Sequence, residues 1–287
     1  MNFTTLRRKL CGHKTALFFT GACLIAIVAL GVAWSYTSAP TSAARYMWER
    51  YRAGTLAVML DRTDADLAMF IGNYYFNGVI GGGAYDPDAA QQAYAKAVSI
   101  NSKILWGHYE LARIHFVKGD FENALREVDA ELGANPSNLR SLYIRGLIYG
   151  YRNGPGDLKR AEEDFQLFTS WAPKEWGGYN DLAWILSLEG KNQKAEGVIF
   201  SAFRNVPQGE ENTWLWNALG VAELALGEYQ KAAGSFEKAK TLASRLGPGD
   251  WRRAYPGNDP RGDESGLADF KKAIGENLSR ATVHNAR

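Results

Sequence analysis

Five alanines recur along this chain at near-constant spacing. Ala90, Ala124, Ala161, Ala195 and Ala232 lie 34, 37, 34 and 37 residues apart. Self-similarity at such a period implies a stack of helix pairs, because one pair cannot bury its apolar face alone while successive pairs bury a continuous core. The period therefore predicts an all-α solenoid. Arrays of this kind generally bind partners and do no chemistry of their own.

The residues around each alanine repeat with it. The copy around Ala232 reads Trp216, Leu219, Gly220, Gly227, Tyr229, Ala232, Phe236. Gly220 and Ala232 are small where two antiparallel helices cross. Trp216, Leu219 and Phe236 fill the space between successive helices, and Gly227 accepts the left-handed conformation that ends a helix. The other copies keep this order: Tyr179, Leu182, Ala183, Gly190, Ala195, Ile199 in one, Leu111, Ala112, His115, Gly119, Ala124, Val128 in another. Gly146, Tyr149 and Phe165 flank Ala161; Gly72, Tyr75 and Tyr94 flank Ala90. Pro136, Pro173 and Pro207 punctuate the copies in phase. Arg145, Glu131 and Phe168 depart from the pattern, standing where Leu or Ala is usual, and Glu223 stands where a tyrosine is usual.

This pattern resembles the tetratricopeptide repeat (W-x2-L-G-x2-Y, then A-x3-F, then P). The resemblance implies a right-handed superhelix of about five helix pairs, at residues 65–102, 105–138, 139–175, 176–209 and 213–244 within a repeat region 61–244. Residues 245–287 read as a loop followed by a capping helix, with Leu267, Phe270, Ile274 and Leu278 on one face. Residues 37–60 read as a linker and an N-terminal helix that packs on the first repeat through Tyr46, Trp48, Tyr51, Leu56, Met59 and Leu60. At a distance, residues 60–280 resemble bacterial membrane-anchored tetratricopeptide proteins, a likeness that brings no activity with it.

The membrane reading rests on residues 15–36. No charged residue occurs from Thr15 to Ala44, and Ala16–Trp34 is almost wholly apolar. As a helix it spans roughly 28 Å, close to the hydrocarbon thickness of about 30 Å. The apolar run is longer than a signal-peptide core and continues past Cys23, where a lipoprotein signal would end. One retained transmembrane helix is the expectation. Arg7, Arg8, Lys9 and Lys14 in the basic segment 1–14 place the N-terminus in the cytoplasm and the repeats on the periplasmic or extracellular side.

The body beyond residue 35 carries 29 basic and 31 acidic residues, a net of −2, after subtracting four cations and no acids from the whole-chain 33 and 31. A near-neutral body without a basic stripe argues against nucleic acid. Both cysteines, Cys11 and Cys23, lie in the first 25 residues, so the repeats have no disulfide framework or thiolate zinc site. His108 and His115 share a helix face but lack a third ligand, and both read as packing residues. Gly78–Gly83 has neither the strand before it nor the Lys-Ser/Thr after it that a phosphate cradle requires, and reads as an inter-helix turn. No nucleophile–base set is present. No catalytic residue, metal or cofactor is expected.

In a tetratricopeptide array the first helix of each pair lines the concave face. Helical phase there selects Asn73, Trp106, Tyr109, Arg113, Phe116, Arg140, Tyr143, Asn180, Trp184, Trp214 and Asn217 as a groove for a protein partner. Large rings interleaved with amides and guanidinium groups suit a peptide or helix. A subfamily of the repeat clamps C-terminal carboxylates, but Met69, Trp106 and Glu110 stand where that clamp needs cations. The expected function is thus a non-enzymatic, membrane-anchored scaffold. A self-associating envelope assembly factor using the convex face is the alternative, and a glycan-binding accessory module a more distant one.

Overall fold

The computed structural model describes residues 40–78 and 83–285. The proposed membrane helix 15–36 lies outside the described residues, as do residues 79–82 of the glycine-rich turn. Among the described residues every regular element is helical, and no helix is long and apolar enough to cross a membrane.

Five antiparallel pairs form the body: α3 (Ala65–Phe76) with α4 (Pro87–Ile100), α5 (Gly107–Val117) with α6 (Phe121–Ala134), α7 (Leu139–Arg152) with α8 (Asp157–Trp171), α9 (Trp176–Leu188) with α10 (Asn192–Asn205), and α11 (Thr213–Ala225) with α12 (Tyr229–Ala243). Before them stand α1 (Pro40–Tyr51) and α2 (Gly54–Leu60); after them come α13 (Pro248–Ala254) and α14 (Asp263–Asn285).

Each crossing is built from one small residue and one large one, and the sizes alternate along the stack. In pairs one, three and five a glycine faces an aromatic ring. A Cβ on Gly72 would lie 2.5 Å from Tyr94, on Gly146 2.9 Å from Phe165, and on Gly220 2.7 Å from Phe236. In pairs two and four the same two places hold Ala112 with Val128 and Ala183 with Ile199, all four at most 2% exposed. Side-chain volume is traded across the crossing, so the helices close to native packing density in both versions.

The departures from the repeat pattern are explained by partners. Glu131, fully buried, accepts the backbone N–H groups of Trp106 (3.3 Å) and Tyr109 (3.2 Å) at the start of α5, and the amides of Asn135 and Asn138. A carboxylate there satisfies orphan N–H donors and meets the positive end of the helix dipole. Arg145 makes a two-pronged pair with buried Asp164, at 2.9 and 2.7 Å. Phe168 packs on Tyr143 and over Gly178. Glu223 is buried and accepts the Ser235 hydroxyl at 2.6 Å; burial raises its pKa. His108 and His115 each meet a carboxylate, Glu127 at 2.7 Å and Asp120 at 3.0 Å.

The ends differ from expectation. The N-terminal piece is two helices, broken at Arg52, whose φ is +51°. The break lets Gly54 approach Tyr75, where a Cβ would lie 2.5 Å from the ring. Only Trp48 and Leu60 of the six expected packing residues are buried, while Tyr46, Tyr51, Leu56 and Met59 are exposed. The helix also starts at Pro40, inside the stretch read as linker. At the other end α14 covers α12, placing Ile274 with Ala239 and Ala243, and Leu278 and Ala281 with Ala232 and Phe236.

Candidate binding cavity

Residues 254–262 do more than connect α13 to α14. This strap crosses the face formed by the first helices of the pairs and reaches the first two repeats. Arg113 Nη2 donates to the Pro256 carbonyl at 3.0 Å, and Tyr85 Oη donates to the Gly257 carbonyl at 2.9 Å. Gly257 has φ +99° and presses against Phe76, leaving no room for a side chain. Nearer its own end of the stack, Tyr255 Oη accepts from Trp214 Nε1 at 3.1 Å.

Between the strap and helices α5, α7, α9 and α11 lies a cavity of about 500 Å3. The Gly177-Gly178 pair at the start of α9 opens space toward α7 and α8. A Cβ on Gly177 would sit 3.2 Å from Tyr143 Oη and one on Gly178 2.6 Å from Phe168. Gly150 does the same for Trp184, at 2.7 Å. With those rings admitted, Tyr143 Oη donates to Asp181 Oδ2, and Asn180 Nδ2 donates to Asp181 Oδ1 at 2.9 Å. Burial pushes the Asp181 carboxyl up to about 6 and the Tyr255 hydroxyl up to about 12. The Tyr143 hydroxyl is raised well above its ordinary value by burial and by the Asp181 charge.

The eleven groove residues selected by helical phase are not equivalent. Tyr109, Arg113, Phe116, Arg140 and Tyr143 line the cavity, as do Asn180, Trp184, Trp214 and Asn217. Asn73 and Trp106 do not. Asn73 accepts the Tyr94 hydroxyl at 2.9 Å. Trp106 precedes α5, in a left-handed conformation (φ +72°). Among the lining residues, several are already committed. Arg113 is 8% exposed and bonds Glu110 at 2.7 Å and Asn77 at 2.8 Å as well as the strap. Trp214 is stacked between Trp176 at 5.1 Å and Phe270 at 5.6 Å, leaving its edge toward the cavity. Asn217 Oδ1 is buried with no hydrogen-bond partner.

Sequence reasoning passed over three contributors, Tyr151, Asp181 and Tyr255. Asp181 is the one charged residue in α9, and a lone carboxylate in so apolar a helix was the available signal. Tyr255 and the strap carried none, since their partners are far away in sequence.

Solved structures share this backbone. YrrB, described as a tetratricopeptide-repeat protein with an unusual peptide-binding site, aligns with a TM-score of 0.51 at 18% identity, over 67% of this chain and 93% of its own. TTC0263 from Thermus thermophilus gives 0.52 at 18%, over 74% and 98%. MamA from Desulfovibrio magneticus RS-1 gives 0.53 at 18%, over 64% and 97%. The fold is the tetratricopeptide-repeat superhelix. No protein-family model and no curated protein matches the sequence, so the tetratricopeptide assignment is one of architecture. Within that architecture, a segment of the chain itself lies across the face of the first helices.

Proposed function

We propose that this protein is a membrane-anchored tetratricopeptide scaffold that captures a segment of a protein partner, without catalysis, on the face of its first helices. One observation carries the reading. That face already receives a turn of the chain itself through its main-chain carbonyls, at Pro256 and Gly257, with the donors Arg113 and Tyr85 supplied by the repeats. Donors to backbone carbonyls flanked by ring-lined space are how a groove holds a peptide of varied sequence. The cavity beside the strap offers Tyr151 and Trp184, their rings 5.1 Å apart, for a side chain of the partner. The anchor is the apolar segment 15–36, and the basic residues before it favour a cytoplasmic N-terminus with the repeats across the membrane. A reporter fused to the C-terminus tests that topology: activity confined to a cytoplasmic reporter overturns it.

A photo-crosslinking residue at Tyr151, which is 58% exposed at the cavity, tests the binding face in the native membrane. A discrete adduct from position 151 and none from Trp171, exposed on a second helix, supports capture in the groove. Adducts of the protein with itself from position 171 alone support the self-associating reading in its place.

A further inference from the structure

We propose that the cavity under the strap receives a cationic amine group, with Asp181 as its counter-charge. The inference deepens the groove reading above and rests on it. Asp181 projects from α9 into a space of about 500 Å3, within the roughly 300–1,000 Å3 of small-ligand sites. Its carboxylate accepts one hydroxyl and one amide hydrogen bond. A carboxylate has about four acceptor positions, so two donors leave it half satisfied. Among the described residues it forms no ion pair with Lys, Arg or His, although part of its surface remains open to the cavity.

Three arginines line the cavity, Arg113, Arg140 and Arg253, and among the described residues none of them pairs with Asp181. Arg113 is paired with Glu110 at 2.7 Å. Arg253 is paired with Asp250, with 69% of its side chain in solvent. Arg140 is an exposed residue and interacts with Tyr109. A half-buried carboxylate without a counter-ion carries a desolvation cost, consistent with the raised pKa of Asp181. An ammonium group entering the cavity removes that cost. The walls beside Asp181 suit it, because Tyr151, Trp184 and Tyr255 present aromatic rings, and ring faces attract an alkylammonium. A carboxylate or phosphate ligand would meet the charge of Asp181.

Two sources share this chemistry: the lysine side chain of a bound peptide and a free small amine. Titrations of the full chain in detergent, followed by tryptophan fluorescence and calorimetry, separate them. The probes are N-acetyl-lysine methylamide, n-pentylamine, the neutral N-acetyl-norleucine methylamide and the anion valerate. Saturable binding of both cations, with neither the norleucine derivative nor valerate binding, is the expected result. Asp181→Asn weakens it at least about tenfold at unchanged helicity, and Tyr151→Leu, altering an exposed ring, weakens it several-fold. Pentylamine binding without the blocked lysine keeps the amine site and removes the peptide reading. Equal binding of the norleucine derivative, preference for valerate, binding of no probe, or full amine binding by folded Asp181→Asn each overturns the proposal. The crosslink from position 151 reads the groove independently of all four.

Discussion

Arg113 holds the carbonyl of Pro256 at 3.0 Å across 143 residues of sequence. The same guanidinium bonds Glu110 and Asn77 and lies 4.8 Å over the Phe76 ring. One buried side chain thus joins the second repeat, the first repeat and the C-terminal strap. Replacing it with methionine keeps the stem but strands Glu110 as a buried charge. Arg113→Met should lower the unfolding free energy by about 3–5 kcal/mol, whereas Tyr85→Phe, which loses one bond to the strap, should cost about 1 kcal/mol. Urea unfolding of both variants gives the comparison, and equal costs would mean that Glu110 is satisfied without Arg113.

Gly257 offers a way to dislodge the strap without touching the repeats. A Cβ there would lie 2.7 Å from Arg113 Nη2 and 3.2 Å from Phe76, at a φ of +99°. The strain from Gly257→Ala should be about 1–3 kcal/mol. Trypsin should then cut at Arg252, Arg253 and Arg261 several times faster than in the parent, with far-ultraviolet circular dichroism unchanged. Equal cleavage rates would show that the strap accommodates a methyl group in place.

The volume exchange at the helix crossings predicts a compensating pair. Gly220→Ala overpacks against Phe236 and should cost about 1–3 kcal/mol. Phe236→Ile leaves a cavity and should cost about as much. Combined, they recreate the Ala183–Ile199 arrangement of the preceding pair, and the double variant should recover at least about 1 kcal/mol relative to the sum. Additive losses in the double-mutant cycle would sink the idea that these two positions trade volume.

Asp181 makes a prediction about pH. Its folded pKa of about 6 lies above the ~3.9 of an unfolded aspartate, so the folded chain binds that proton more tightly. Burial of the charged form therefore opposes folding above pH 6, and the opposition is relieved as pH falls from about 6 toward 4. Asp181→Asn should be more stable than the parent by about 1–2 kcal/mol at pH 7.5, with the gap narrowing at pH 5. Denaturation at the two pH values checks it. A gap that widens on acidification would place the folded pKa below that of the unfolded chain. Glu223 and Asp164, also raised by burial, titrate in both proteins and cancel in the difference.

What the sequence disclosed was local and periodic. Ala90, Ala124, Ala161, Ala195 and Ala232 mark five crossings because each pair solves the same packing problem, and the residues four places later, from Tyr94 to Phe236, answer them. Helical phase likewise brought Tyr143, Asn180 and Trp184 to one wall. Trp106 escaped it, because its left-handed backbone ends the preceding turn before the helix begins. Asn73 escaped it because its acceptor is taken by Tyr94. The strap has no period at all. Its meaning lies in Tyr85 and Arg113, and a single sequence does not reveal contacts between residues 143 and 172 positions apart.

A stack of repeats ordinarily behaves as a row of neighbours, in which either end can fray while the middle stands. The strap alters that. By tying the last elements to the first two repeats, it makes the row a closed circuit, so that loosening at one end is felt at the other. Unfolding of this chain should accordingly be a single cooperative event where an untied array of the same length would melt in stages, and release of the strap would restore the looser, spring-like behaviour of an open solenoid.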